Sequence, residues 1–129
     1  MAAGHRTVLI VDDNRDCADS LRVLLSTFGL EAHVAYEGNS AMKMFEANSF
    51  GVVLLDLSMP GMDGFELARR LRESTSSCLA IVAISGWADA KTKEQALKAG
   101  IDRYLVKPVE IEVLRELLAK SSGVLDGAA

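Results

Sequence analysis

Apolar positions along the chain follow two alternating rhythms. Short runs of β-branched, aliphatic or aromatic residues occur at Thr7–Val11, Ala32–Ala35, Val52–Leu55, Ala80–Ile84 and Tyr104–Val106. These read as strands, and three of them lack polar alternation, the pattern of a strand covered on both faces. Between them, apolar residues recur at three and four. The first such stretch carries Ala18, Leu21, Leu25 and Phe28 and stops at Gly29. The second carries Ala41, Met42 and Phe45, with Asn39 as the expected N-cap. The third starts at Asp63 with Glu66 three residues on, a capping-box spacing, and continues through Phe65, Ala68 and Leu71. The fourth runs from about Ala90 to Ala99 and ends at Gly100; the fifth, from about Glu110 to Ala119, carries Ile111, Leu114, Leu117 and Leu118. Five strand–helix units with right-handed crossovers predict a doubly wound α/β three-layer sandwich around a parallel five-stranded sheet. The fourth helix mixes Ala90, Ala96, Leu97 and Ala99 with Lys91, Lys93, Glu94 and Lys98, so it is expected to pack weakly.

Composition narrows the class. The 129 residues are half apolar and a quarter charged, which suits one globular domain. A net charge of −4 speaks against a nucleic-acid surface, which needs a basic patch. No apolar stretch approaches the ~18 residues that span a bilayer, and Met1-Ala2-Ala3-Gly4-His5-Arg6 is no signal peptide. Cys17 and Cys78 form no CxxC and have no histidine cluster near them, so zinc is not expected and a reducing, cytoplasmic setting is.

In a doubly wound sheet, ligands sit beyond the carboxyl ends of the strands. The residues after the apolar runs are Asp12 and Asp13, then Asp56, then Ser85, then Lys107 followed by Pro108. One aspartate at a strand end is an ordinary turn former. Three that converge repel one another unless a cation is present. A hard divalent ion with oxygen ligands, Mg²⁺, answers that repulsion. Asp56 is the candidate nucleophile, since a carboxylate can take a phosphoryl group as an acyl phosphate. Lys107 and the Ser85 hydroxyl are suited to holding the transferred oxygens.

Four segments in order resemble the receiver domain of bacterial two-component response regulators. They are Val8-Leu9-Ile10-Val11-Asp12-Asp13-Asn14, Leu54-Leu55-Asp56-Leu57-Ser58-Met59-Pro60-Gly61-Met62-Asp63-Gly64, Ile84-Ser85-Gly86 and Tyr104-Leu105-Val106-Lys107-Pro108. The resemblance covers residues 7–119, leaving 1–6 and 120–129 as short tails or linker stubs. It implies a flavodoxin-like strand order 2-1-3-4-5 and phosphorelay signalling. By it, Asp56 would be the phosphoacceptor, supplied by a sensor histidine kinase or a histidine phosphotransfer protein. Asp13, Asp56 and the backbone carbonyl of Ser58 would bind Mg²⁺ directly, with Asp12 acting largely through metal-bound water. Lys107 would contact the phosphoryl group, and the Lys107–Pro108 bond would be cis. Ser85 and Tyr104 would form a switch that alters a partner-binding face made by the fourth helix, fifth strand and fifth helix. The chain would then be a signalling domain that catalyses its own phosphorylation and dephosphorylation, either free-standing or part of a hybrid kinase.

Other readings fit less well. A phosphatase of the haloacid dehalogenase type needs a second acid two residues after its nucleophile, where this chain has Ser58. A nucleotide- or flavin-binding module would have a glycine-rich phosphate loop after the first strand, where this chain has Asp12-Asp13-Asn14. A pseudo-receiver that only binds partners would not need the full chemical set. His5 and His33 do not lie in helical patterns, so neither resembles a phosphodonor. Ser58, Trp87 and Arg15 are neighbours of the expected pocket, and the first two are expected to influence the lifetime of the phosphoryl group.

Overall fold

The computed structural model describes residues 7–48, 50–57, 64–74, 79–86, 90–107 and 109–122. Strands and helices alternate throughout: β1 (Thr7–Val11), α1 (Arg15–Thr27), β2 (Glu31–Ala35), α2 (Gly38–Ala47), β3 (Val52–Asp56), α3 (Gly64–Ser74), β4 (Ala80–Ser85), α4 (Ala90–Lys98), β5 (Arg103–Val106) and α5 (Ile111–Ser122). The strands form one parallel sheet in the order β2-β1-β3-β4-β5; the alternation predicts a doubly wound sheet, and the resemblance implies this order. Polar residues extend four strands beyond their apolar runs. Glu31 and Arg103 open β2 and β5, while Asp56 and Ser85 close β3 and β4. A strand is defined by its backbone ladder, so its end is blind to side-chain polarity.

Strand alternation divides the core into two layers. Leu9, Val11, Val53, Leu55, Ile81 and Ala83 face one way, onto Ala41, Leu67, Leu71 and Ala96 of α2, α3 and α4. Val8, Ile10, Val52, Leu54, Val82 and Ile84 face the other way, onto Ala18, Leu25, Leu114 and Leu118 of α1 and α5. The central strands β3 and β4 are buried along their whole length, as continuous apolar runs require. The edge strands β2 and β5 are only partly covered.

Local chemistry sets the helix ends. Asn14 caps α1, its Oδ1 accepting from the Cys17 N–H at 3.1 Å. The helix stops at Gly29, which adopts φ +83° as a C-terminal glycine does. The expected cap of α2, Asn39, is displaced. The helix already begins at Gly38, its N-cap is Glu37, and the Glu37 carbonyl accepts from the Ala41 N–H at 3.0 Å. Gly38 is buried one turn before Ala41, and a buried residue without a side chain is invisible to a pattern of apolar side chains. The expected cap of α3, Asp63, lies outside the described residues. As expected, α4 is thinly anchored: Ala96 is its one buried residue and Leu97 is 69% exposed.

Arg72, on α3, ties the amino ends of β4 and β5 together. Its guanidinium donates to the Leu79 carbonyl at 2.8 Å, the Gly100 carbonyl at 2.9 and 3.3 Å, and Asp102 Oδ2 at 2.6 Å. Asp102 Oδ2 also accepts from the Ile81 N–H at 2.8 Å.

At the other end of the sheet, α3 begins hard against β3. A Cβ at Gly64 would lie 2.5 Å from Leu57 Cα and 2.8 Å from the Asp56 carbonyl oxygen, both backbone atoms. Gly64→Ala should therefore destabilise the fold by about 3 kcal/mol, as overpacking against backbone does. Gly86→Ala, with open space around it, should stay within about 1 kcal/mol of the parent. Urea unfolding of the pair checks both.

Candidate functional site

Strand register assembles the site. Val11 pairs with Leu55, so Asp12 and Asp56, each next in its chain, emerge side by side. Asp56 pairs with Ile84 across β3 and β4, which sets Ser85 one position beyond. Ser85 pairs with Val106, and the Ser85 carbonyl accepts from the Lys107 N–H at 2.8 Å. The Asp12 N–H donates to the Ala35 carbonyl of β2 at 3.1 Å. Its Oδ1 accepts from the Asn14 N–H at 3.0 Å. The turn that launches α1 thus also aims the Asp12 carboxylate.

The result is a compact acidic cluster. Carboxylate oxygens of Asp12, Asp13 and Asp56 lie within 4.8 Å of one another. Asp13 is exposed, whereas the Asp56 side chain is only 11% exposed. Lys107 Nζ stands 3.9 Å from Asp56 Oδ2 with its side chain 40% exposed. Ser85 is buried at the adjoining strand end. Burial pushes the Asp12 carboxyl above its ordinary range, and the charge and contact of Asp56 push the same way. The Asn14 N–H and the Lys107 charge pull it back only in part. Three hard oxygen donors at this spacing, with one face open to water, match what a divalent ion such as Mg²⁺ takes from a protein while keeping several waters.

The structure brings Asp12, Asp13, Asp56 and Lys107 together, with Ser85 at the same sheet edge. Tyr104 lies on β5, half-buried against the core layer beneath α4, with Lys93 Nζ 6.0 Å from its ring centroid. Ser58, Trp87 and Pro108 lie outside the described residues, as do His5 and Cys78. His33 is mid-strand in β2, where its Nε2 meets Glu31 Oε2 at 2.7 Å and its ring stands edge-on to Phe50. Cys17 is exposed on α1. It shares with Asp12, Leu21, Leu24, Lys107 and Val109 a cleft of about 660 Å³ beside the acidic cluster.

Two contributors escape a reading of strand ends. Asn14 both caps α1 and holds Asp12; its place just before a helical pattern is the available signal. Tyr36, immediately after β2, donates its hydroxyl to Asp19 Oδ1 at 2.7 Å and lies beneath the Arg15 guanidinium, whose Cζ is 4.1 Å from the ring centroid. The hydrogen bond to Asp19 raises the Tyr36 phenol above its ordinary pKa, with burial and the Asp19 charge adding to it.

Comparison with known proteins points one way. The family model described as "Response regulator receiver domain" matches residues 8–119. The sensory transduction protein RegX3 of Mycolicibacterium smegmatis is 37% identical over 119 residues, 92% of this chain and 50% of that protein. The sensor histidine kinase RcsC of Salmonella typhimurium is 34% identical over 112 residues, 87% of this chain and 12% of that protein. The chain thus spans half or less of the length of these relatives. Among solved structures, the response regulator protein TrrA of Thermotoga maritima, in complex with Mg²⁺-BeF, superposes with a TM-score of 0.81 at 28% identity, covering 90% of this chain and 98% of that one.

Because the folded chain holds the Asp12 proton more tightly than the unfolded chain, Asp12 destabilises the metal-free fold at neutral pH. That penalty is full above its raised pKa and is relieved as the pH falls through it. With a chelator present, Asp12→Asn should melt about 2–4 °C higher than the parent at pH 7. The advantage should fade by about pH 4, near the ordinary carboxyl value of 3.8. Thermal melts of the two proteins across that range check the sign.

Proposed function

Since this chain belongs to the response regulator receiver domain family, we propose that its phosphoryl-accepting group is Asp56 and that acceptance depends on Mg²⁺ at the Asp12, Asp13 and Asp56 carboxylates. The observation that carries this reading is the position of Asp56. It is a nearly buried carboxylate at a strand end, with two further carboxylates within 4.8 Å and an ammonium at 3.9 Å. A carboxylate so placed is shielded from bulk water yet reachable from the open edge of the sheet.

In the proposed reaction an Asp56 carboxylate oxygen attacks phosphorus, and the bond from phosphorus to the donor nitrogen or oxygen breaks with its electron pair. Bound Mg²⁺ supplies charge neutralisation that three aspartates and a phosphoryl group otherwise lack. Asp13, Asp56 and the Ser58 carbonyl would hold it directly, and Asp12 would act largely through water. Lys107, already facing Asp56 Oδ2, turns its ammonium to a phosphoryl oxygen, and the Ser85 hydroxyl donates to another. Movement of Ser85 opens space for Tyr104, half-buried three residues before Lys107. The proposed cis Lys107–Pro108 bond aims the lysine.

The donor we propose is a sensor histidine kinase or a histidine phosphotransfer protein. The downstream partner binds the face of α4, β5 and α5, where Leu97, Val106, Ile111 and Val113 are exposed and where thin anchoring lets α4 shift. Residues 7–119 act as the signalling unit, a domain that phosphorylates and dephosphorylates itself rather than turning over a separate substrate, with 1–6 and 120–129 as short tails or linker stubs. No helix among the described residues is long and apolar enough to cross a membrane. A cytoplasmic setting, where phosphohistidine donors and Mg²⁺ are available, completes the proposal.

Incubation with Mg²⁺ and acetyl phosphate should give one base-labile acyl phosphate, absent in Asp56→Ala and absent when the metal is chelated. Full single-site labelling of Asp56→Ala would remove Asp56 from the role. In Lys107→Ala, labelling should persist while the phosphorylation-dependent gain in partner affinity falls roughly tenfold, the worth of one charge-assisted hydrogen bond. A normal gain, measured by titration against the partner, would refute the clamp.

A further inference from the structure

Lys107 and Arg15 both adjoin the acidic cluster, the first in space and the second in sequence, and the fold treats them differently. Lys107 meets the cluster, with Nζ 3.9 Å from Asp56 Oδ2. Arg15 is only two residues from Asp13, yet its guanidinium rests on the Tyr36 ring, Cζ to centroid 4.1 Å. We propose that Tyr36 and Asp19 form a cradle that parks the Arg15 guanidinium off the acidic cluster, leaving the cluster open to a divalent cation. This rests on the Mg²⁺ reading above and deepens it by assigning positioning residues to the metal site.

The cradle is built from both sides. Tyr36 directly follows Ala35, whose carbonyl accepts from the Asp12 N–H at 3.1 Å, so the ring is fixed to the same strand end as the cluster. One side of the ring packs against the core layer beneath α1 and α5. Its hydroxyl donates to Asp19 Oδ1 at 2.7 Å, which closes the ring onto α1. Asp19 is one helical turn beyond Arg15, on the same face. The ring therefore presents its π-face where the first residue of α1 projects, and a guanidinium is held there by the ring quadrupole. With the ring removed, Arg15 is left between a single carboxylate, Asp19, one turn on, and the three of the cluster. Guanidinium–carboxylate pairing is strong and often bidentate, so a released Arg15 competes with the metal for the same oxygens. The apparent metal affinity then falls by the fraction of molecules in which Arg15 has left the cluster free. Occupancy of the cluster by Arg15 from one half to nine-tenths corresponds to roughly a two- to tenfold rise in Kd.

The test is a double-mutant cycle read by calorimetric titration of the full chain with Mg²⁺ alone. Tyr36→Leu should weaken Mg²⁺ binding about two- to tenfold. Combined with Arg15→Gln, the same replacement should have no effect, so that the double variant binds as Arg15→Gln does. Asp19→Ala, which spares the core, should weaken binding less than Tyr36→Leu, and its effect should likewise vanish in the Arg15→Gln background. It carries the test if Tyr36→Leu does not fold. Equal weakening with and without Arg15, or unchanged affinity in the single variants, overturns the cradle alone. A parent chain that takes up no Mg²⁺ overturns the metal site and the cradle with it.

Discussion

The β1–β3 register, which pairs Val11 with Leu55, forces two like charges together at the rim of an apolar sheet. Asp12 and Asp56 cannot separate unless the strands slip, and a slip of one residue would turn every core side chain of β1 onto the wrong layer. The hydrophobic core thus holds an electrostatically unfavourable pair in place. Burial first, and the Asp56 charge after it, raise the Asp12 pKa. Much else at this edge moderates it: the Asn14 N–H on Asp12, the Lys107 ammonium facing Asp56, and the open side where a cation fits.

The same division of labour runs through the sheet. Asp56 and Ser85 end strands that are otherwise wholly aliphatic, so each polar group stands at the boundary between packed core and solvent. There both are buried, Asp56 at 9% and Ser85 at 2% exposure, beside the exposed Asp13. Gly64 completes the arrangement from the α3 side by letting a helix begin where any side chain would strike the backbone of Asp56 and Leu57. The geometry of the site is a by-product of strand pairing, and the turn at Asn14 adds to it.

That dependence explains what could be read from the chain and what could not. Asp12, Asp13, Asp56, Ser85 and Lys107 were legible because each marks the end of a run of apolar residues, and a parallel sheet lines those ends up. The strand order itself came from resemblance, since periodicity gives faces and lengths but no neighbours. Asn39 was misplaced as a cap because buried Gly38 carries no side chain to betray the start of α2. Arg72 was illegible for another reason: most of its acceptors are backbone carbonyls, and one, at Gly100, is 28 residues distant. Such contacts leave no compositional trace. Arg15, opening α1, and Tyr36, just after β2, stack across elements that nothing in the local pattern relates.

Arg72 carries a mechanical implication. By gripping the Gly100 carbonyl it fastens the carboxyl end of α4 to α3 and to the feet of β4 and β5, while Ala96 is the one buried anchor within the helix. The helix is a lever with a fixed fulcrum at the end remote from the aspartates. Its nine residues span about 13 Å, so a tilt of about 10° carries the amino end about 2 Å and leaves the hinge nearly still. Displacement in such a tilt is greatest at the amino end of the helix, which follows β4 in the chain, and the length of the arm sets how far a small local push is multiplied.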